Sequence, residues 1–377
     1  MAQPLSMEDY LTPLSFHELF EEQSFNAFQL GHRIQAYQTE IPDLTDADIV
    51  LIGAEEYRGA GYPMESAAAD AVRQQLYPMY HWQQEIQIAD LGNVKKGKSL
   101  KDTRAALQMI LEELLALGKT VLVLGGSHDL TLTQYQAYVS RSQVVEATVV
   151  DALIDLHEEE YMPSRHFLME MLTGRPNFIR HYNHIGFQSY FVHPQLLETL
   201  DKLRFDCYRL GAVRERMDDM EPVIRSSDLF SFDMCALRSG DAPASRLSPN
   251  GFTGEEACAL FRYAGMSNQL SMAGLFGYIP EHDRDELTAI QAAQMVWYFI
   301  EGRAVARTEA ALEETSAYNE FHVAFDGLET SFKKSKRTGR WWMQLPDGQY
   351  IPCAYTDYLT AGNSEIPERW LRAQERL

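Results

Sequence analysis

The stretch "VLVLGGSHDL", residues 121–130, is an unbroken apolar run that meets two glycines and then presents Ser127, His128 and Asp129. Val and Leu without polar interruption predict a strand covered on both faces, as in parallel sheets flanked by helices. In such sheets ligands gather beyond the carboxyl ends of the strands, so His128 is placed where chemistry is expected. Two further buried runs end in the same manner. "TVVDALID" (148–155) delivers Asp151 and Asp155, and "LFSFDMC" (229–235) delivers Asp233 and Cys235. Alternate residues of extended backbone share a face, which puts Asp151, Leu153 and Asp155 together and pairs Asp233 with Cys235.

Carboxylates crowded at neighbouring strand ends repel one another and resist ionisation unless a cation or hydrogen-bond donors compensate. One imidazole with three carboxylates is an oxygen-rich donor set suited to manganese ahead of magnesium or zinc. The competing reading is that each acid caps the helix after its strand. For any one acid alone, capping is the better account; for the whole set, a metal ion is.

Strand-like and helix-like segments alternate through most of the chain. "ADIVLIGAEE" (47–56), "EIQIADLG" (85–92), "YNHIGFQSY" (182–190), "CYRLGAV" (207–213) and "MAGLFGYIP" (272–280) read as strands. "SLKDTRAALQMILEELLALG" (99–118) opens on Ser99, has an acidic first turn and closes on Gly118, the marks of a delimited helix. The alternation predicts an α/β protein with a mostly parallel central sheet between helical layers. From about residue 304 short antiparallel strands, the Pro346-Asp347-Gly348 turn and a terminal helix take over. The expected organisation is an N-terminal extension (1–44), an α/β domain (45–303) and a C-terminal appendage (304–377) packed on the main domain or a neighbouring subunit.

The 377-residue chain carries 33 basic and 54 acidic residues, a formal net charge of -21. Such a surface repels nucleic acid and anionic membranes, so small molecules, cations and proteins are the expected partners. Four cysteines without CxxC spacing indicate neither a zinc knuckle nor a disulfide framework. No targeting segment or spanning apolar run is visible, and a cytoplasmic location is expected. The one basic, aromatic stretch, "KKSKRTGRWWM" (333–343), invites comparison with a stacking surface for nucleotides. The chain's acidity favours packing of Trp341 and Trp342 instead.

The order GG-x-H, D-x-x-x-D, S-x-D, each after a buried strand, resembles the ureohydrolase family of arginase, agmatinase and formiminoglutamase. "IVLIGAEEYRGAG" (49–61) looks like that family's first strand and glycine loop, and "IPEHDRDELTAIQAAQMVWYFIEG" (279–302) like its late Pro-x-x-Asp segment and last helix. The likeness spans about 45–303, with formiminoglutamase nearest. It implies an arginase-like three-layer α/β/α fold, two manganese ions, a bridging hydroxide that attacks a guanidinium or formimino carbon, and a homo-oligomer. Carried over by position, His128, Asp151, Asp155 and Asp233 are the ligands of one ion, with Asp155 also placed at the reaction centre.

The other half departs from the family. Leu153 stands at the histidine of D-A-H-x-D, Cys235 at the second acid of S-x-D-x-D, and Gly277 where a glutamate pairs with the cationic substrate. The turn reads GGSHD where the family usually has GGDHS. Leucine offers a metal no lone pair, and a thiolate favours a softer ion than manganese. Cys235 and His157, the latter two residues past Asp155, are candidate replacement ligands, and His166 in "MPSRHF" is a candidate proton shuttle, although a surface or loop role is the more ordinary use of each histidine. The resemblance therefore implies one manganese ion or none, since two would contradict this reading. It also implies impaired or absent conventional hydrolysis, making the chain a pseudoenzyme. The alternative is an active metal-dependent hydrolase of linear amidine C–N bonds, converting formiminoglutamate to glutamate and formamide at a modified centre.

Overall fold

The computed structural model describes residues 7–21, 24–62, 66–156, 162–325 and 328–375. Its main sheet has ten strands: β1 (Leu11–Thr12), β2 (Gln35–Ala36), β3 (Ile49–Gly53), β4 (Ile88–Val94), β5 (Thr120–Leu124), β6 (Val145–Val150), β7 (Ile179–Phe187), β8 (Asp206–Arg209), β9 (Leu229–Asp233) and β10 (Met272–Phe276). They lie in the order β1-β4-β3-β5-β10-β9-β6-β7-β8, with β2 also paired to β4. Only β1 runs antiparallel to its neighbour. The four strands that matter for the site, β5, β10, β9 and β6, are therefore consecutive.

Alternation along the buried strands divides the core into two layers. Val121 and Val123 join the Leu100–Ala116, Leu130–Ser140 and Pro163–Thr173 helices on one face. Leu122 and Leu124 join the Ala68–Leu76, Gly254–Gly265 and Leu287–Thr308 helices on the other. Burial on both faces is why these strands read as continuous apolar runs. The Leu100–Ala116 helix begins as expected: Ser99 and Asp102 form a reciprocal capping box. In the late "IPEHD" segment the carboxylate of Asp283 accepts from the amides of Thr288 and Ala289, anchoring the start of the long Leu287–Thr308 helix.

Three segments differ from the sequence reading: in one, β9 ends at Asp233 and Met234–Ala236 forms a short 3-10 helix, so Cys235 does not share a strand face with Asp233. "CYRLGAV" is strand only to Arg209, and Leu210–Glu215 is helical. β6 stops at Val150, so Asp151 to Asp155 lie in a bent turn rather than in extended backbone. Asp151 and Asp155 thus converge through the turn, not through strand alternation.

The chain ends in a second, antiparallel sheet of β11 (Tyr318–Phe325), β12 (Leu328–Ser335), β13 (Trp341–Gln344) and β14 (Tyr350–Cys353), in that order. Two short helices, Tyr355–Gly362 and Glu368–Gln374, cover it. Its small core gathers Phe325, Phe332, Trp341, Met343 and Trp370. The basic stretch is spent on internal contacts. Lys333 Nζ donates to Leu312 O and lies 4.4 Å from the Tyr350 ring, Lys336 Nζ donates to Ser316 O, and Arg337 pairs with Glu314. Arg340 pairs with Glu309 at 3.0 Å and donates to Met266 O, while the Arg225 guanidinium stacks 4.3 Å from the Trp342 ring. Among the described residues no helix is long and apolar enough to cross a membrane.

Candidate metal centre

The glycine turn after β5 takes a path open to glycine alone. Gly125 and Gly126 have φ of +83° and +84°, and a Cβ on Gly126 would lie 2.5 Å from Ala54 O. The turn is pinned from both sides, by Ser127 N to Glu56 O and by Gly277 N to Gly126 O, each at 2.9 Å. It lifts His128 over the ends of β9 and β6. The exchanged polar pair has its own use here: buried Asp129 accepts from Ser127 Oγ and pairs with Arg104 at 2.5 Å, tying the turn to the Leu100–Ala116 helix.

His128 Nδ1 lies 2.9 Å from Asp151 Oδ2, 3.4 Å from Asp155 Oδ2 and 3.5 Å from Asp233 Oδ2. Although this nitrogen is buried among three carboxylates, none meets it in a hydrogen-bonding orientation. Two donors on one ion with bonds of about 2.1 Å stand roughly 3 Å apart. The spacing is that of co-ligands around a common centre, and His128, Asp151 and Asp233 offer donor atoms all within 4.8 Å of one another. These residues fit one oxygen-preferring divalent ion.

The electrostatics of the cluster favour a positive charge among its carboxylates. Burial, and then the neighbouring Asp151, pushes the Asp155 carboxyl up to about 8 and that of Asp233 to about 6. Burial alone would lower the His128 imidazole, but Asp151, Asp155 and Asp233 outweigh it and hold it well above its ordinary value. Burial also opposes ionisation of Asp151, yet His128 brings this carboxyl below the usual carboxylate range. The capping reading and the metal reading are both realised, by different oxygens. Oδ1 of Asp151 accepts from Leu153 N at 2.8 Å and Oδ1 of Asp233 from Cys235 N at 2.7 Å, leaving the two Oδ2 atoms for the cluster.

On the far side of Asp151 the arrangement changes. Cys235 Sγ lies 2.9 Å from Asp151 Oδ1 and donates to it. Burial, reinforced by Asp151 and Asp233, raises this thiol well above its ordinary range, so it remains protonated. Asp151 Oδ1 thus carries both the Cys235 thiol and the Leu153 amide. Gly277 is more than a missing carboxylate. With φ of +78° and a would-be Cβ 2.5 Å from Asp233 Oδ1, a side chain there would be strained and would have to displace that carboxylate.

Two further residues were expected to contribute. His157 lies outside the described residues. His166 is half-buried on the Pro163–Thr173 helix rather than in a loop. That helix meets the cluster through Phe167, whose ring lies 4.9 Å from the His128 imidazole, and through Leu168 N, which donates to Asp155 O. Sequence reasoning passed over His184 and Tyr182 on β7. His184 Nε2 bonds Asp151 O at 3.1 Å and its Nδ1 meets Tyr182 OH at 2.7 Å. Burial lowers His184 to about 4, so it is neutral and supports the backbone of the turn. The available signal was a histidine inside an otherwise buried strand.

One histidine and three carboxylates gathered beyond the carboxyl ends of parallel strands make a candidate cation site in a three-layer α/β protein. Residues 47–301 match the sequence model of the arginase family, and the chain belongs to that family. It is 24% identical over 306 residues to the formimidoylglutamase of Vibrio cholerae, covering 71% of this chain and 89% of the relative. It is 25% identical over 289 residues to that of Salmonella heidelberg, covering 72% and 91%. Among solved structures, Trypanosoma cruzi formiminoglutamase with Mn2+ superposes with a TM-score of 0.64 at 20% identity, covering 73% of this chain and 98% of that one. A hypothetical agmatinase from Burkholderia thailandensis gives 0.62 at 17% identity, covering 76% and 93%.

Proposed function

We propose that this arginase-family protein holds a single manganese ion, at His128, Asp151, Asp155 and Asp233, and is impaired or inactive in two-metal hydrolysis. The observation that carries the reading is the Cys235 thiol on Asp151 Oδ1, with the Leu153 amide beside it. A bound ion would supply Lewis acidity toward a polar group of a small amidine-type ligand. The protein's own part is to converge four donors, hold Asp151 by its capped Oδ1, and shut the adjoining position. Without a side chain at Gly277, no carboxylate from that position meets a guanidinium, which argues against arginine-like substrates.

The relatives named formimidoylglutamase favour a second reading, in which the single-ion centre still hydrolyses formiminoglutamate to glutamate and formamide. The test is product release by the purified, manganese-loaded chain. The first reading expects neither urea from arginine or agmatine nor formamide from formiminoglutamate above the metal-free background. Manganese-dependent formamide release would establish the second.

A further inference from the structure

His128 Nδ1 can face the acids only if the imidazole keeps one of its two edge-on orientations. The rings of Phe167 and Phe276, centred 4.9 and 6.1 Å away, confine the plane of the imidazole. Apolar walls do not distinguish a nitrogen edge from a carbon edge, and a half-turn about the ring's axis would replace Nδ1 by a carbon. A hydrogen bond does distinguish them. On the far edge His128 Nε2 lies 3.0 Å from Ser231 Oγ, and Ser231 Oγ lies 2.6 Å from Thr131 Oγ1. All three residues are buried. Thr131 stands in the first turn of the Leu130–Ser140 helix, with its amide on His128 O. The hydroxyl pair therefore clamps β9 to the segment that carries the histidine.

We infer that Ser231, backed by Thr131, is a positioning residue that fixes the edge and tautomer of His128. The Nε2–H donates to Ser231 Oγ, Ser231 donates to Thr131, and the Nδ1 lone pair is left for a cation among Asp151, Asp155 and Asp233. This rests on the one-ion reading above. Outer partners of this kind typically govern metal affinity by 10- to 100-fold.

The test is Mn2+ titration of the full-length chain, following free Mn2+ by electron paramagnetic resonance. Ser231→Ala is expected to bind about 10- to 100-fold more weakly than wild type, and Thr131→Val to show a smaller loss. Ser227→Ala is the structural control, since it removes a buried hydroxyl bonded to Thr148 in the same sheet without touching His128. It is expected to lower thermal stability while leaving Mn2+ affinity unchanged. Wild-type affinity in Ser231→Ala overturns the inference and leaves the one-ion reading standing. Failure of the wild-type chain to bind Mn2+ overturns that reading and the inference with it. Should Ser231→Ala not fold, Thr131→Val decides, and unchanged affinity there overturns the proposal.

Discussion

At 2.9 Å from Asp151 Oδ1, the Cys235 thiol is a hydrogen-bond donor, and on the proposed one-ion reading it stands in place of a ligand. Leu153 places its backbone amide on the same oxygen, and on that reading its side chain supplies no second ligand. Replacing only these two, Leu153→His with Cys235→Asp, is expected to raise bound manganese from one ion per chain to two, measured by elemental analysis. Adding Gly277→Glu should abolish the gain, because the new Cβ would collide with Asp233. The carboxyls also set a pH dependence. Asp233 at about 6 and Asp155 at about 8 must lose their protons to bind metal, so Mn2+ affinity should climb across that interval. For the metal-free chain the sign is reversed. Both pKa values are raised on folding and the native state binds the extra protons, so stability falls as pH rises from the ordinary carboxylate value of about 4, up to about 6 for Asp233 and about 8 for Asp155. Thermal melts with and without Mn2+ check this: the decline should flatten when the metal is present.

The turns at strand ends translate these residues into a site, and here the sequence was legible in part. The glycine turn and the acids announced themselves because polar residues interrupt apolar runs at β5, β6 and β9. The convergence of Asp151 and Asp155 did not, since it depends on a bend after Val150 that capping bonds create. Nor could the sequence show that each of Asp151 and Asp233 divides its oxygens between capping and the cluster. Asp129 was equally opaque: the exchange with Ser127 reads as a departure until Arg104 is seen beside it. Arg104→Ala would leave a fully buried carboxylate without its cation, a loss of about 3 kcal/mol. Denaturant unfolding should show it as a lower midpoint, and Mn2+ affinity should fall as the turn loosens.

Across the whole molecule, the site and the appended sheet occupy opposite ends. The donors emerge at the carboxyl ends of β5, β6 and β9. The appended sheet docks where strands begin: Arg372 pairs at 2.5 Å with Asp206, the first residue of β8, and Trp342 stacks on Arg225 just ahead of β9. The antiparallel character of this sheet and its Pro-Asp-Gly turn were readable from alternation and turn chemistry. Its docking was not, because the contacts join residues far apart in the chain through guanidinium groups that look like ordinary surface charge. Trp342→Ala should cost about 3 to 5 kcal/mol, seen in thermal unfolding, without changing Mn2+ affinity. A parallel loss of affinity would mean that the two ends are coupled.

The account turns on how many ions the cluster takes. Elemental analysis of the purified chain, saturated with manganese and freed of excess by gel filtration, counts them directly. One ion per chain, lost in Asp155→Ala, is the predicted result. Two ions per chain would contradict it, for the thiol on Asp151 would then not close the second position.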